Sequence, residues 1–269
     1  MAFKRYNRTY EKDSETPFKL SRSKIDFFID CPRCFYLDRR LGIGRPPQAP
    51  FTLNVAVDAL LKKEFDIHRA DGSKHPLFQK YGLDVIPFKH KDINTWRENF
   101  VGIQFLHQKT NLLITGAIDD VWVNPKGELH IVDYKATSKE GEVNLEDTKW
   151  HNQYRRQMEI YQWLFRQNGF KVSDTGYFVY VNGKKDRKSF DGKLEFDVKV
   201  IPYTGKSDWV EIKILEIKKC LDADIPPESS DECEFCNYRI KAGLALLPFM
   251  KKTKIISKKD EKSSNPKLF

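Results

Sequence analysis

The chain has 269 residues, of which 40% are hydrophobic and 13% aromatic, so its composition excludes a wholly disordered protein. No stretch is long and apolar enough for a membrane-spanning helix, and the N-terminus lacks the apolar core of a signal peptide. The formal net charge of +9 favours a polyanionic partner such as nucleic acid, although an excess of surface lysine can also serve solubility alone.

The first third of the chain predicts helices. Residues 1–17 are polar, and we expect them to form a flexible N-terminal segment. Residues 20–43 predict one helix that begins at Ser21 or Ser23, because serine is a preferred N-cap and apolar residues follow at helical spacing. A second amphipathic helix is predicted over residues 53–68.

The middle of the chain predicts a β-hairpin. Residues 112–123 are β-branched and apolar, and residues 128–136 alternate between apolar and polar. The intervening Asn124-Pro125-Lys126-Gly127 is strong turn chemistry, since proline presets one turn position and glycine supplies a left-handed one. A loop of residues 125–127 would pair Asn124 with Glu128 and so fix the register of the two strands.

This hairpin would gather charged side chains on one face. Asp133 and Lys135 share a face of the second strand, and the register puts Asp119 opposite Asp133, with their Cβ atoms about 5 Å apart. Two close carboxylates repel each other, a divalent cation relieves the repulsion, and oxygen-only ligation suits Mg²⁺ or Mn²⁺. Lys135 could then orient or activate a water molecule for phosphodiester hydrolysis. The same residues also fit an ordinary ion pair on a half-exposed strand, and the pattern alone leaves both interpretations open.

Further elements are predicted downstream. A helix over residues 150–168 ends at Gly169, and strands follow over 176–183 and 193–203. A helix over 207–221 carries the apolar stripe Val210, Ile214, Ile217 and Leu221. A loop over 224–239 contains paired cysteines, and residues 246–269 are expected to form a basic, disordered tail. Together the elements predict an α/β fold in which a central mixed sheet holds the hairpin and is flanked by helices.

The motifs around the hairpin resemble the core of the PD-(D/E)XK nucleases, specifically their RecB-like branch. That branch includes the nuclease domains of recombination helicase-nucleases and a CRISPR-associated exonuclease. The matching pattern is Gly116-x-x-Asp119 followed by an apolar strand that ends in Asp133-x-Lys135. The later Gln-x-x-x-Tyr motif of that branch is also matched, and the resemblance spans residues 18–245, taken as the nuclease domain.

The resemblance implies a restriction-endonuclease-like core and cleavage of DNA with Mg²⁺ or Mn²⁺, in repair, recombination or defence, with exo- or endonuclease action left open. It implies the catalytic residues Asp119, Asp133, Lys135, Gln157 and Tyr161, and the metal ligands Asp119, Asp133, the Tyr134 carbonyl and Asp58. Asp58 stands where many members have a histidine, so it is either a ligand or a solvated carboxylate. Asp120 adjoins Asp119, and only the motif spacing favours Asp119.

The expected partners are DNA and a separate helicase or repair protein that would supply any unwinding. Two alternatives from other classes remain. One is a catalytically silent DNA-binding module on the same fold. The other is a small interaction protein that is stabilised by zinc or a cluster and only resembles a nuclease.

The cysteines form two Cys-x-x-Cys pairs, Cys31 with Cys34 and Cys233 with Cys236. Without a signal peptide we expect a cytoplasmic protein, in which thiols serve as ligands or stay free rather than form disulfides. Some RecB-like nucleases hold a [4Fe–4S] cluster with one early and three late cysteines, but Ala242 stands near the expected last ligand. Four thiolates would hold a [4Fe–4S] cluster or tetrahedral Zn²⁺, and absence of a metal is the third alternative. Cys220 is expected to be a small buried residue and a reserve ligand.

Overall fold

The structure is a computed structural model that describes residues 9–47, 52–145 and 149–250. Its strands are β1 (Phe18–Ser21), β2 (Ile86–Pro87), β3 (Ile103–His107), β4 (Leu112–Gly116), β5 (Asp120–Val123), β6 (Leu129–Thr137), β7 (Thr175–Gly183) and β8 (Phe196–Thr204). Its helices are α1 (Arg22–Asp30), α2 (Pro32–Arg39), α3 (Thr52–Asp71), α4 (Pro76–Lys80), α5 (Ile93–Arg97), α6 (Lys149–Gln167), α7 (Asp208–Asp222) and α8 (Glu234–Met250). No helix in these three ranges is long and apolar enough to cross a membrane.

The strands form two mixed sheets. One has the order β1-β4-β3, and the other has the order β2-β5-β6-β7-β8, in which β6 and β7 run parallel. The α/β class is confirmed, but the expected single strand over residues 112–123 is wrong. The chain leaves the first sheet after Gly116 and joins the second at Asp120, because the Ile118 N–H donates to the Trp96 carbonyl (3.0 Å) and not to a strand.

The predicted hairpin and its register are confirmed in β5 and β6. Asp120 pairs with Val132, and Val123 pairs with Leu129. The Asn124 N–H donates to the Glu128 carbonyl (3.1 Å), and Gly127 adopts a left-handed φ of 72°. This register therefore follows from local turn chemistry, as expected for a short hairpin.

The N-terminal helix prediction needs correction. Residues 18–21 form β1, and the helix beyond them is split into α1 and α2 at Cys31, whose φ of −160° is extended. Pro32 explains the split, because proline disfavours helical backbone at the residue before it and is well suited to the first turn of α2. Ser21 is the N-cap of α1, in agreement with one of the two predicted caps.

Helices pack on both faces of the five-stranded sheet. One core lies against α1, α6 and α7 and includes Ile131, Phe178 and all four residues of the predicted α7 stripe. A second core lies on the opposite face against α3 and includes Phe65 and Val132. Because successive strand side chains alternate faces, Asp133 and Lys135 point with Ile131 toward α6.

Structured residues lie on both sides of the segment expected to form the nuclease domain. Tyr10 is buried, packs edge-on against Phe18 and donates to Asp222 (2.6 Å), so the described residues 9–17 include an anchored position. Helix α8 occupies much of the expected cysteine loop and extends into the expected tail. Residues 1–8 and 251–269, on which the other terminal predictions fall, lie outside the described residues.

Candidate active site and cysteine cluster

Asp133 is the buried centre of the candidate site. Its Oδ1 accepts a 2.6 Å hydrogen bond from Gln157 Nε2, and its Oδ2 forms an ion pair with Lys135 Nζ. Lys135 also donates to Gln157 Oε1 (3.4 Å) and lies 4.4 Å from the centre of the Tyr154 ring. Helix α6 thus holds the strand residues Asp133 and Lys135 in place with a neutral amide and an aromatic face.

Asp119 lies beside this pair, in the segment between β4 and β5. Its Oδ2 accepts a hydrogen bond from the Tyr134 N–H (2.8 Å), so its carboxylate faces β6 where Asp133 and Lys135 flank Tyr134. The N–H and C=O of a strand residue point to the same edge, so the Tyr134 carbonyl faces the side where Asp119 lies. The structure therefore brings together Asp119, Asp133 and the predicted carbonyl ligand.

Asp58 joins this group from α3, 61 residues before Asp119 in the chain. Lys62 Nζ lies 2.8 Å from Asp58 Oδ2 and 3.4 Å from Asp119 Oδ1, so one ammonium group links the two carboxylates. Burial and the charge of Asp119 raise the pKa of Asp58. Asp58 thus lies beside Asp119 with its side chain about one third exposed. Sequence reasoning missed Lys62, although its position one turn after Asp58 was a usable signal.

Asp120 has a different environment from Asp119. It is fully buried and forms ion pairs with Arg69 and Arg97, the latter at 2.9 Å. Its Oδ2 accepts a further hydrogen bond from the Tyr134 hydroxyl (2.8 Å) on the opposite face of β6. With both oxygens occupied in this way, Asp120 stabilises the fold, while Asp119 points to the candidate site.

Tyr161 and Gly116 set the position of the segment that carries Asp119. The Tyr161 hydroxyl donates to the Ala117 carbonyl (2.6 Å), and Gln157 Nε2 lies 3.4 Å from that hydroxyl. A Cβ atom at Gly116 would lie 2.6 Å from Tyr161 Cε1, so only glycine allows the ring this close to β4. The glycine of the Gly-x-x-Asp motif and the tyrosine of the Gln-x-x-x-Tyr motif therefore contact each other.

The electrostatics of the site match a cation-binding group. Burial, with a contribution from Asp119, raises the pKa of Asp133 to about 6 even though Lys135 opposes the shift. Burial lowers the pKa of Lys135, but Asp133 and Asp119 outweigh it and raise that pKa overall. The charge of Asp119 contributes to the raised pKa of both Asp58 and Asp133. The three carboxylates form an oxygen-only donor set, which suits a hard divalent cation such as Mg²⁺.

Arg22, at the start of α1, is a further charged residue that the sequence did not single out. Its guanidinium carbon lies 5.8 Å from the centre of the Tyr161 ring. Burial lowers the pKa of Arg22, but Tyr161 and Asp133 outweigh it and raise that pKa. No local sequence pattern identifies Arg22 as a site residue, because only the packing of α1 against α6 brings it near Asp133.

The four predicted cysteine ligands come together in a second site, where α1 meets α2 and α8 begins. All four are buried, and their sulfur atoms lie within 4.8 Å of one another. Cys34 Sγ lies 3.5 Å from Cys233 Sγ and 3.4 Å from Cys236 Sγ, and Cys31 Sγ lies 3.8 Å from Cys236 Sγ. Cys220, the reserve ligand, is not in this group and packs against the main core instead.

Two arginines border this cluster. Arg45 Nη2 donates to Cys233 Sγ (3.5 Å), and Arg239 Nη1 donates to Cys34 Sγ (3.9 Å). Guanidinium groups next to sulfur favour thiolates over thiols, which is the form that binds metals. The cluster therefore has both the donors and the charge compensation of a thiolate metal site.

Comparisons with known proteins give a match to one family model and remote similarity to solved structures. The family model described as the PD-(D/E)XK nuclease superfamily matches residues 52–240. A search of curated proteins finds no match. A crystal structure from Eubacterium rectale described as a "putative exonuclease" is 14% identical, with a TM-score of 0.43, covering 82% of this chain and 87% of that one. A second structure, described as SSO0001, is 17% identical, with a TM-score of 0.38 and coverage of 86% and 87%. The family match contains Asp58, Asp119, Asp133, Lys135 and the Gln157–Tyr161 pair, and the chain belongs to the PD-(D/E)XK nuclease superfamily.

Proposed function

We propose that this chain is a Mg²⁺- or Mn²⁺-dependent deoxyribonuclease that hydrolyses phosphodiester bonds. One observation carries the proposal. The carboxylates of Asp58, Asp119 and Asp133 come from three separate elements and converge with Lys135 beside the hairpin. Groups that only stabilise a fold seldom bring three partly uncompensated carboxylates together, whereas a cation site needs them.

Each residue has a defined task in this proposal. Asp58, Asp119, Asp133 and the Tyr134 carbonyl would hold the divalent ion, which when bound supplies positive charge near the scissile phosphate. Lys135 would hold the attacking water and stabilise charge on the phosphate oxygens. Gln157 orients Asp133 and Lys135, and Tyr161 fixes the segment before Asp119 through Ala117.

DNA is the proposed substrate because the chain carries a net charge of +9 and belongs to a nuclease superfamily. Repair, recombination or defence is the proposed setting, as in the RecB-like branch that the motifs resemble. We place this activity in the cytoplasm, where four buried cysteine thiols are kept reduced and available to a metal.

The test is cleavage of labelled single-stranded and double-stranded DNA with Mn²⁺. The parent protein is compared with Lys135→Ala and with Lys213→Ala, which removes a half-buried lysine of α7 that forms an ion pair with Glu216. We expect cleavage by the parent and Lys213→Ala and its loss in Lys135→Ala, with all three proteins equally folded. A folded, metal-replete parent that binds DNA but cuts no substrate would favour the catalytically silent module.

For the cysteine cluster we propose Zn²⁺. Zinc–sulfur bonds of about 2.3 Å in a tetrahedron place neighbouring sulfurs about 3.8 Å apart. Three of the sulfur separations are close to this value, at 3.4, 3.5 and 3.8 Å, and all four sulfurs lie within 4.8 Å of one another. In a [4Fe–4S] cluster each thiolate binds a different iron, so the cluster body separates the sulfurs further. The spacing therefore favours one ion over the cluster. Its role would be structural, joining α1 and α2 to α8.

A further inference from the structure

A cleft opens next to the candidate site. It is lined by residues from four places, namely the start of α1, the loop before β3, the end of β4 and the middle of α6. Ser21, Arg22, Asn99, Phe100, Gly116 and Tyr161 are among them. Gly116 and Tyr161 also position Asp119, and Tyr161 contacts Gln157, which binds Asp133. The cleft is therefore the space that a nucleotide next to the reacting phosphate would enter.

Phe100 stands at this cleft in an unusual state. Its residue surface is 90% exposed, and its φ of 69° is left-handed. A bulky residue rarely adopts this backbone conformation, and an apolar ring gains nothing from water. Residues held in strained backbone conformations cluster at functional sites, so the Phe100 ring is a candidate contact for a ligand.

The loop that carries Phe100 is firmly held. The N–H groups of Val101 and Gly102 both donate to the Glu98 carbonyl, at 3.2 and 3.0 Å, and Lys19 Nζ donates to the Phe100 carbonyl. A Cβ atom at Gly102 would lie 2.2 Å from the Gly116 carbonyl oxygen, so the loop lies directly against β4. The backbone that carries the exposed ring is thus held beside the segment that leads to Asp119.

The opposite wall of the cleft is polar and basic. Arg22 lies there with its guanidinium near the Tyr161 ring, and the hydroxyls of Ser21 and Ser23 are 2.9 Å apart. A guanidinium with neighbouring hydroxyls suits a phosphate, and a free aromatic face suits a nucleobase. The cleft therefore offers a phosphate contact and a stacking platform side by side.

We propose that this cleft binds an unpaired nucleotide, with its base stacked on Phe100 and its phosphate on Arg22. The inference rests on the proposed nuclease function and narrows its substrate to single-stranded DNA or a frayed end. A base inside a duplex has both faces covered by its neighbours, so it offers no face to Phe100. The substrate strand would reach the carboxylates only with a base unstacked.

Binding of DNA by the full chain tests this directly, in EDTA so that no metal-dependent cleavage occurs. The ligands are a labelled single-stranded oligonucleotide and a blunt duplex of the same sequence, followed by fluorescence anisotropy. The variants are Phe100→Gly, Phe100→Tyr and the control Phe190→Gly, which removes another exposed phenylalanine, 72% exposed, outside the cleft. Glycine accepts a left-handed backbone, so Phe100→Gly should not lower the Tm.

We expect Phe100→Gly to weaken single-strand binding roughly 5- to 100-fold and duplex binding far less. Phe100→Tyr and Phe190→Gly should bind single strands like the parent. A single abasic position moved along the oligonucleotide should weaken the parent at one place and leave Phe100→Gly unaffected there.

Equal single-strand affinity of Phe100→Gly and the parent would overturn the inference. An equal loss of affinity for single strands and for duplex in Phe100→Gly would also overturn it, as would a parent that binds no single strand. Turnover plays no part in this measurement. A parent that binds but never cleaves would overturn the nuclease proposal alone, and a parent that cleaves with no role for Phe100 would overturn this inference alone.

Discussion

The side-chain amide of Gln157 lies between Asp133 and Tyr161, with Nε2 at 2.6 Å from Asp133 Oδ1 and 3.4 Å from the Tyr161 hydroxyl. Its Oε1 accepts from Lys135 Nζ at 3.4 Å. One neutral group therefore orients a carboxylate, an ammonium group and a phenol. This arrangement fixes the site without adding a charge to it.

Removal of this amide should reduce activity without unfolding the protein. In Gln157→Leu, Asp133 and Lys135 lose their common hydrogen-bond partner. Loss of a group that orients metal ligands typically lowers metal affinity or activity by roughly 10- to 100-fold. The measurement is the Mn²⁺ dependence of DNA cleavage. Gln153→Leu, one turn earlier in α6, is the control and should behave like the parent. Equal activity of both variants would argue against an orienting role.

The raised pKa of Asp133, about 6, makes the metal-free stability pH-dependent. An unfolded aspartate has a pKa of about 3.9, so between about pH 4 and pH 6 the folded state binds more protons than the unfolded state. The free energy of unfolding should therefore fall, by about 2–3 kcal/mol, as the pH rises through this window.

Asp133→Asn cannot titrate, so the parent-minus-variant difference in unfolding free energy, measured in EDTA, isolates this slope. With Mn²⁺ the sign reverses, because the ion needs the ionised carboxylate and should raise the parent's Tm only as the pH rises through about 6. Parallel curves for the two proteins would contradict a buried, titrating Asp133.

An added methyl group at Gly116 should disturb the site from a distance. In Gly116→Ala, the Cβ would meet Tyr161 Cε1 at 2.6 Å, so the ring must move away from its Ala117 contact. Overpacking of this kind costs about 1–3 kcal/mol, and a misplaced Asp119 should lower cleavage by roughly 100-fold. Gly243→Ala in α8, where a Cβ meets nothing within 4 Å, should retain full activity.

The neighbours Asp119 and Asp120 should separate activity from stability. Asp120→Asn leaves Arg69 and Arg97 as buried cations without their carboxylate, which should cost about 3–5 kcal/mol of unfolding free energy. Asp119→Asn should cost less than about 1 kcal/mol, because its side chain is 23% exposed and its ion pair with Lys62 is long. Cleavage assays and denaturant unfolding of both variants check this, and the reverse pattern would reassign the ligand to Asp120.

The cysteine cluster should hold about one zinc ion per chain and show no iron–sulfur absorption. Cys236→Ser should lose the zinc and unfold at a lower temperature, while Cys220→Ser, outside the cluster, should retain the metal. Metal analysis of the purified proteins measures the first effect and thermal unfolding the second. Stoichiometric iron with visible absorption would instead identify a cluster.

Local chemistry was sufficient for several predictions from the sequence. The hairpin register was predictable because the turn at Asn124–Gly127 and the two-residue alternation of β6 both act within a few residues. The stripe in α7 was predictable because helical spacing alone places it on one face. The split at Pro32 is also a local effect, although the prediction joined α1 and α2 into one helix.

Other features depend on distant partners and were missed. The break between β4 and β5 depends on the Trp96 carbonyl and on the Tyr161 ring, neither of which lies near residue 117 in the sequence. The first six residues of α8, Glu234 to Arg239, were predicted as part of a loop, and the helix begins beside the cluster in which Cys233 and Cys236 pack against Cys31 and Cys34.

By itself, the sequence determined which groups are candidates for the chemistry, namely the motif carboxylates, Lys135 and four thiols, because motif spacing and strand alternation are short-range properties. Only the tertiary structure decided which further groups join them. Helices α1 and α3 bring Arg22, Asp58 and Lys62 to the hairpin from far earlier in the chain. The four cysteine sulfur atoms likewise come together only once Cys31 and Cys34 have packed beside Cys233 and Cys236, because spacing along a chain does not determine a distance across the fold.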